Sequence, residues 1–302
     1  MRVQVSKLSE LKGHSGAIYS LSKGFSSTGV LSCSGDKMLA HWDIYENKFS
    51  GFSVKLPSII YSSAFIEKNN LLLIGTADGS LHVVDVTIKQ ETRFLQFNKG
   101  GIFKIIYLQS SKSILISTAN GYLIELDIEI FSIKKELKIS DLKIRNMAID
   151  EDLNRIYLTD GTGEFHALEL SSFKKIISVP AHQQSCNCIA IHPNGKYLVT
   201  GGKDAHLNVF DKFNFEKINS IPAHNFAIYA CLFLENTRYM ATASRDKTIK
   251  IWNATTFEFL LRINKENFDA HSHSVNSLLW LDETSQLIST GDDQKLMVWN
   301  IK

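Results

Sequence analysis

Proline and cysteine are both scarce in this chain, at four each in 302 residues. Few prolines leave strand interiors unbroken, because a proline removes a ladder donor. Cys33, Cys186, Cys188 and Cys231 lie in apolar, strand-like contexts without paired spacing, which argues against a disulfide framework and for a reducing, cytoplasmic setting. No stretch approaches the roughly 20 apolar residues of a membrane span, and the opening MRVQVSKLSELKGH has no apolar signal-peptide core, so no membrane insertion is expected. An excess of one charge is lacking too: 33 Lys and Arg stand against 31 Asp and Glu, interspersed, without the basic stripe of a direct nucleic-acid binder. Also missing are a glycine-rich phosphate loop, a Gly-x-Ser-x-Gly elbow and a His-Glu-x-x-His helix. The two glycines of DGTGE (160–164) fall in a hairpin turn with no helix behind them, so the amide nest that holds phosphate is absent there.

What the chain does contain is a period. FKKIISVPAH (173–182) and FEKINSIPAH (215–224) are 42 residues apart. Stepping by 42 from His14 reaches Leu56, Asn98, Ser140, His182 and His224, and a seventh equivalent, His271, follows after 47. Asp36 leads in the same way to Asp78, Asn120, Thr162, Asp204, Asp246 and Asp293. Within a unit the pattern is of short strands: YMATASRDKTIKIWN (239–253) is two β-rich runs joined by a tight turn, preceded by AIYACLF and followed by a fourth run such as FEKINSI. Four short antiparallel strands cannot cover both their faces alone, whereas seven such sheets stacked radially cover one another. The expected fold is all-β, one seven-bladed propeller over 1–302.

Gly13-His14 with SGDKMLAHWD (34–43), Ala223-His224 with SRDKTIKIWN (244–253), and Ala270-His271 with GDDQKLMVWN (291–300) resemble the WD-repeat β-propeller family. The resemblance spans the chain and weakens in units two to four, which lack both the histidine and the tryptophan. It implies closure of the ring by an N-terminal strand, here 2–11, completing blade seven. It also implies a hydrogen-bonded set in each regular blade: His14, Ser32, Asp36 and Trp42; His224, Thr242, Asp246 and Trp252; His271, Ser289, Asp293 and Trp299. Blade five offers His182, Thr200 and Asp204, with Phe210 in place of the indole. Buried polar groups need partners, and carboxylate, imidazole, hydroxyl and indole satisfy one another.

Two sharper readings of these residues are weaker. A Ser-His-Asp nucleophilic triad needs one exposed nucleophile, whereas this arrangement recurs in four blades beside a covering aromatic. A zinc site from His182, Cys186, Cys188 and His192 would ask one ion to hold residues about 30 Å apart on an extended strand. No catalytic residue, cofactor or metal is therefore expected. In units two to four the set disappears in concert, Ile74 with Val84, Ile116 with Leu126 and Leu158 with Leu168. Losing all partners together is nearly neutral, whereas losing one strands the others.

Alternation along the first strand of each unit gives the functional reading. Four residues after the histidine position the chain is mostly apolar, while the fifth residue has the opposite parity and should face the central channel. Around the ring that residue is Tyr19, Tyr61, Phe103, Arg145, Asn187, Tyr229 and Asn276. Lys143, Lys203 and Arg245 add a basic tilt over blades four to six. Tyr and Arg are the residues of protein-recognition hot spots. The expectation is a non-catalytic scaffold, monomeric alone and part of a complex, whose top face binds a protein or peptide, with an acidic or phosphorylated segment as the natural guess. A lengthened loop carrying Phe268 leads into the same face. The competing reading is a propeller hydrolase or lyase with its substrate in the channel.

Overall fold

The computed structural model describes residues 3–302. Seven four-stranded antiparallel sheets follow one another around a ring, and in each the strands a, b, c and d lie side by side in chain order. In blade one these are Ile18–Lys23, Gly29–Ser34, Met38–Asp43 and Lys48–Lys55. Blades two to six repeat the order over residues 60–96, 102–138, 144–180, 186–222, 228–263. Strand a of each blade packs against strand a of the next, including the last against the first, so these strands line the axis.

The b strands are buried along their whole length in blades one, three and six, because neighbouring blades cover both faces. Their residues are accordingly apolar or small on both sides, as in GVLSCS and SILIST. The core is thus a set of clusters between blades, such as Leu31, Leu39, Ile60, Leu72 and Ile74 between one and two. The d strands form the outer rim and alternate exposed and half-buried residues.

Blade seven takes strands a to c from Val275–Leu281, Gln286–Gly291 and Lys295–Ile301, and its fourth strand is Val5–Lys12. Val5 pairs with Ile301 and Lys12 with Lys295. Leu11 enters the core shared with blade one, and the inner edge strands of the seven sheets are covered by packing against one another around the axis. Residue 2, the expected start of this strand, lies outside the described residues.

Each b–c turn places one residue in the left-handed region: Lys37, Gly79, Gly121, Gly163, Ala205, Lys247 and Gln294. At Gly121 a side chain is also sterically impossible, since a Cβ would overlap the Ser140 carbonyl. Beside each turn the same backbone bond recurs, from Gly35 N to Ala17 O at 2.8 Å in blade one and from Asp292 N to Ser274 O at 3.0 Å in blade seven.

Strand a contains a feature that simple alternation does not anticipate. In all seven blades the pairing with strand b skips one residue: Tyr19, Tyr61, Phe103, Arg145, Asn187, Tyr229 or Asn276. A β-bulge leaves its extra residue out of the ladder and re-aims its side chain. The residue before it, from Ile18 round to Val275, is fully buried in the blade core. The bulge therefore sends the fifth-position side chain toward the axis.

Candidate functional site

The buried hydrogen-bond sets hold the groups whose accessibility decides whether the blades carry chemistry. In blade one His14 Nδ1 lies 2.8 Å from Asp36 Oδ2, His14 Nε2 lies 2.7 Å from Ser32 Oγ, and Trp42 Nε1 donates to the same hydroxyl at 2.8 Å. Blade six repeats this with His224, Asp246, Thr242 and Trp252 at 2.8, 2.8 and 2.9 Å. Blade seven has His271, Asp293, Ser289 and Trp299 at 2.9, 2.8 and 2.8 Å. Blade five joins His182 to Asp204 and Thr200 at 2.9 Å each, with Phe210 where the indole would be. A carboxylate only accepts, so Nδ1 carries the proton, and Nε2 then accepts from the hydroxyl. Burial holds His224 below the usual imidazole range, which keeps it neutral in this chain of bonds. Burial works to raise the Asp204 pKa, yet His182 and the Gln183 and His206 amides bring it down to about 2. The distances are those of a catalytic triad, but Ser32, Thr200, Thr242 and Ser289 are fully buried, so no substrate reaches the hydroxyls.

Blade four, which lacks the set at the repeat positions, has a different one that sequence comparison by period does not reveal. Asp160 accepts from Ser140 Oγ, from the Thr162 amide and hydroxyl, and from the Glu164 amide. His166 Nε2 stands 3.3 Å from Oδ2, the oxygen that also accepts from Ser140. The carboxylate occupies the slot of Ser34 in blade one, two residues ahead of the usual turn position. Asp160, Glu164 and His166 bring their ligand atoms within 4.8 Å of one another, the donor set a cation could use. Four donors already hold the Asp160 carboxylate, which leaves it little to give a metal. DGTGE is thus a turn built around a buried acid. The histidines of the zinc reading set aside above are engaged elsewhere: His182 serves Asp204, and His192 Nε2 lies 2.8 Å from the Ala254 carbonyl.

At the axis the bulge residues surround an opening of about 890 Å³. Tyr19 and Tyr61 meet edge to face with centroids 5.4 Å apart, and Tyr61 stacks on Phe103 at 5.2 Å, making an aromatic shelf over blades one to three. Blade four adds Lys143 and Arg145. The Lys143 amine sits 6.0 Å from the Phe103 ring centroid, and Arg145 Nε donates to Ser185 Oγ at 3.0 Å. Burial lowers the Lys143 pKa, and the charges of Arg145 and Lys203 lower it further. Burial likewise lowers that of Arg145, with Tyr229 opposing. Lys203 is exposed in the neighbouring turn, while Arg245 leans its guanidinium over Phe226 at 5.9 Å from the ring and does not line the opening.

Three residues expected on the partner face also make contacts within the ring. Asn187 is buried: Ser185 Oγ donates to its Oδ1 at 2.9 Å, and its Nδ2 donates to the Ile228 carbonyl of blade six at 2.9 Å. Asn276 does the same for blade one, donating to the Ile18 carbonyl at 3.0 Å and to Asp292 Oδ1 at 2.7 Å. Both amides staple a blade to the next, because a short side chain on the bulge reaches the neighbouring main chain; Asn187 is buried in doing so, whereas Asn276 stays half-exposed at the mouth. Phe268 closes a short helix, Lys265–Phe268, and packs half-buried against the core of blades six and seven.

Lys104, one residue past the Phe103 bulge, was not singled out by sequence. It lines the opening where other blades carry Ser20, Ser62, Asn146 or Ala230, and burial lowers its pKa. The signal was a lysine in a column of small and polar residues.

The fold and its stapled axis define a closed seven-bladed propeller. The family model "WD domain, G-beta repeat" matches at residues 5–43, 173–211, 215–253 and 263–300, about half of the chain, and the chain belongs to that family. Among solved structures it is similar to the WD40 β-propeller domain of Doa1, with a TM-score of 0.85, 14% identity, and coverage of 99% of this chain and 97% of that one. Among curated proteins it is 36% identical over 55 residues to THO complex subunit 3 of Arabidopsis thaliana; the match covers 18% of this chain and 18% of that relative's length. Propellers of this family generally mediate protein–protein interactions and are typically non-catalytic. Among the described residues no helix is long and apolar enough to cross a membrane.

Proposed function

We propose that this chain is a non-catalytic interaction scaffold that grips a protein or peptide partner across the mouth of its channel. The observation that carries this is the bulge repeated in all seven blades, which takes one side chain per blade out of the ladder and turns it to a single opening. Tyr19, Tyr61, Phe103, Lys143, Arg145 and Tyr229 then form one continuous surface of aromatic and cationic groups, the composition that dominates interface energetics. A closed ring holds them in place before binding, which lowers the ordering cost of the complex. Similarity to a subunit of a named complex agrees with a role inside an assembly.

The test is affinity capture from native lysate with mass spectrometry, comparing the wild type with a Tyr19→Ala, Tyr61→Ala, Tyr229→Ala variant whose circular dichroism is unchanged. A partner held by the first and lost by the second is the expected result. Equal recovery by both would mean that these rings only fill the channel.

A further inference from the structure

We propose that the blade four and five corner of the mouth receives the phosphoryl group of a phosphoserine or phosphothreonine in the partner's segment, with an apolar side chain of that segment on the adjoining aromatic shelf. This rests on the mouth being the partner surface and adds the chemistry of what it takes.

The corner is a cluster of cations without a counter-ion. Lys143 and Arg145 line the opening, and Lys203 stands close enough for its charge to act on Lys143. Among the described residues none of the three is in an ion pair, although surface lysines elsewhere on the ring are, as Lys99 with Glu136 at 2.9 Å and Lys112 with Glu129 at 2.7 Å. Of the acids of these two blades, Asp160 and Asp204 are committed and the exposed Asp141 is turned to Lys138. Asp160 is held by Ser140, Thr162 and His166, Asp204 is held by His182 and the Gln183 amide, and Asp141 reaches Lys138 at 3.5 Å. Two acids line the opening: Asp292 of blade seven is bound by Asn276, and Glu235 follows the end of strand a in blade six, where its charge acts on Lys23. Like charges kept together without a partner oppose one another until an anion arrives.

The type of anion follows from the donors. Arg145 spends its Nε on Ser185, which fixes the plane of the guanidinium and leaves its two terminal amino groups for a ligand. A planar fork sharing its opening with the Lys143 ammonium, with exposed Lys203 close enough to act on that ammonium, offers more donors and more charge than one carboxylate uses. A phosphomonoester, near −2 at neutral pH with three acceptor oxygens, matches them. Phe103 lies under the Lys143 amine and stacks on Tyr61, so an apolar residue next to the phosphoryl group would lie on the shelf.

The experiment uses the full chain and three degenerate, fluorescein-labelled peptide pools with a fixed central phosphothreonine, threonine or glutamate, read by fluorescence polarisation. The phosphothreonine pool is expected to bind at least ~10-fold more tightly than either other pool, a ratio equivalent to about 1.4 kcal/mol. Lys143→Ala with Lys203→Ala should remove most of that preference. Arg145→Lys, which keeps the charge and loses the fork, should fall between. Equal binding of all pools, glutamate binding as tight as phosphothreonine, no binding of the phosphothreonine pool, or a preference that survives the lysine substitutions would each overturn the proposal. Repeating the lysate capture after phosphatase treatment separates the two readings. A partner that survives dephosphorylation and the lysine substitutions, but is lost with Tyr19, Tyr61 and Tyr229, defeats the phosphoryl proposal and leaves the scaffold standing. A partner indifferent to every mouth substitution defeats both.

Discussion

Replacing Thr242 by valine is the sharpest test of the blade-six hydrogen-bond set. Valine has nearly the shape of threonine, so packing is kept and only the hydroxyl is removed from a fully buried site. That hydroxyl accepts from Trp252 Nε1 at 2.9 Å and pairs with His224 Nε2 at 2.8 Å, so two buried polar groups lose their partner at once. Each of the two orphaned groups costs about 1–3 kcal/mol, and the added methyl returns about 0.8 kcal/mol, so the expected loss is about 1–5 kcal/mol. Trp252→Phe reproduces what blade five has naturally in Phe210 and removes the indole donor at a cost of about 1–2 kcal/mol. In the double variant the stranded indole no longer exists. The two losses should therefore sum to less than their parts by about 1–2 kcal/mol, a coupling well above the scatter of independent sites. Urea unfolding followed by far-UV circular dichroism measures all four proteins without relying on Trp252 as a probe. The reasoning is refuted if Thr242→Val stays within about 0.5 kcal/mol of wild type, or if the two costs simply add.

Stability should decline in two stages on acidification. His224 is held below its ordinary value by burial, so the unfolded chain protonates first and stability falls as pH drops below about 6.5; Asp204, lowered to about 2, contributes fully above its ordinary carboxylate value and is lost as pH falls toward 2. A melting temperature flat from about pH 7 to pH 5 would contradict the first stage. Leu11→Ala in the closing strand should cost about 2–4 kcal/mol, since Leu11 is buried in the core shared with blade one, while Leu8→Ala on the same strand, half-exposed, should stay within about 0.5 kcal/mol; equal effects would deny that the strand closes the ring through its core face. Asn187→Ala should cost about 1–3 kcal/mol in urea unfolding by stranding the Ile228 carbonyl, whereas exposed Lys203→Ala should be nearly neutral, and a neutral Asn187→Ala would show that the amide faces the partner after all.

The propeller was legible because a period of 42 repeats the same physical problem, and the same residues answer it wherever His, Ser or Thr, Asp and Trp recur together. Other features escaped for identifiable reasons. A bulge adds a residue to one strand's pairing without changing the period, so alternation placed the fifth-position side chains at the axis without showing what puts them there. Asn187 and Asn276 have the composition of a recognition surface, yet amides bridge main-chain carbonyls equally well, and only geometry separates the two uses. The Asp160–His166 pair lies off the repeat positions of the family set, so aligning unit on unit conceals it. Phe268 reads as an exposed aromatic in an insertion until the short helix around it turns the ring onto the core.

The bulge also explains how one chain can be both rigid and specific. Ile18 and Tyr19 are adjacent, but the first is sealed in the blade core and the second lies outside the ladder at the mouth. The residue before the bulge is sealed in the core in every blade, but in blades five and seven the bulge residue itself, Asn187 or Asn276, also ties the ring, so the separation of ring-building from mouth-lining side chains is incomplete in those two. Blades two to four could exchange their polar sets for Ile74, Ile116, Leu158 and their partners without touching the shelf of Tyr61 and Phe103. Conversely, among the described residues Lys143 and Lys203 are in no ion pair, and the acids of the same two blades, Asp160 and Asp204, are satisfied by Ser140 and His182. That self-sufficiency leaves the mouth charges uncompensated within the protein, which is why a ligand and not the fold is expected to neutralise them.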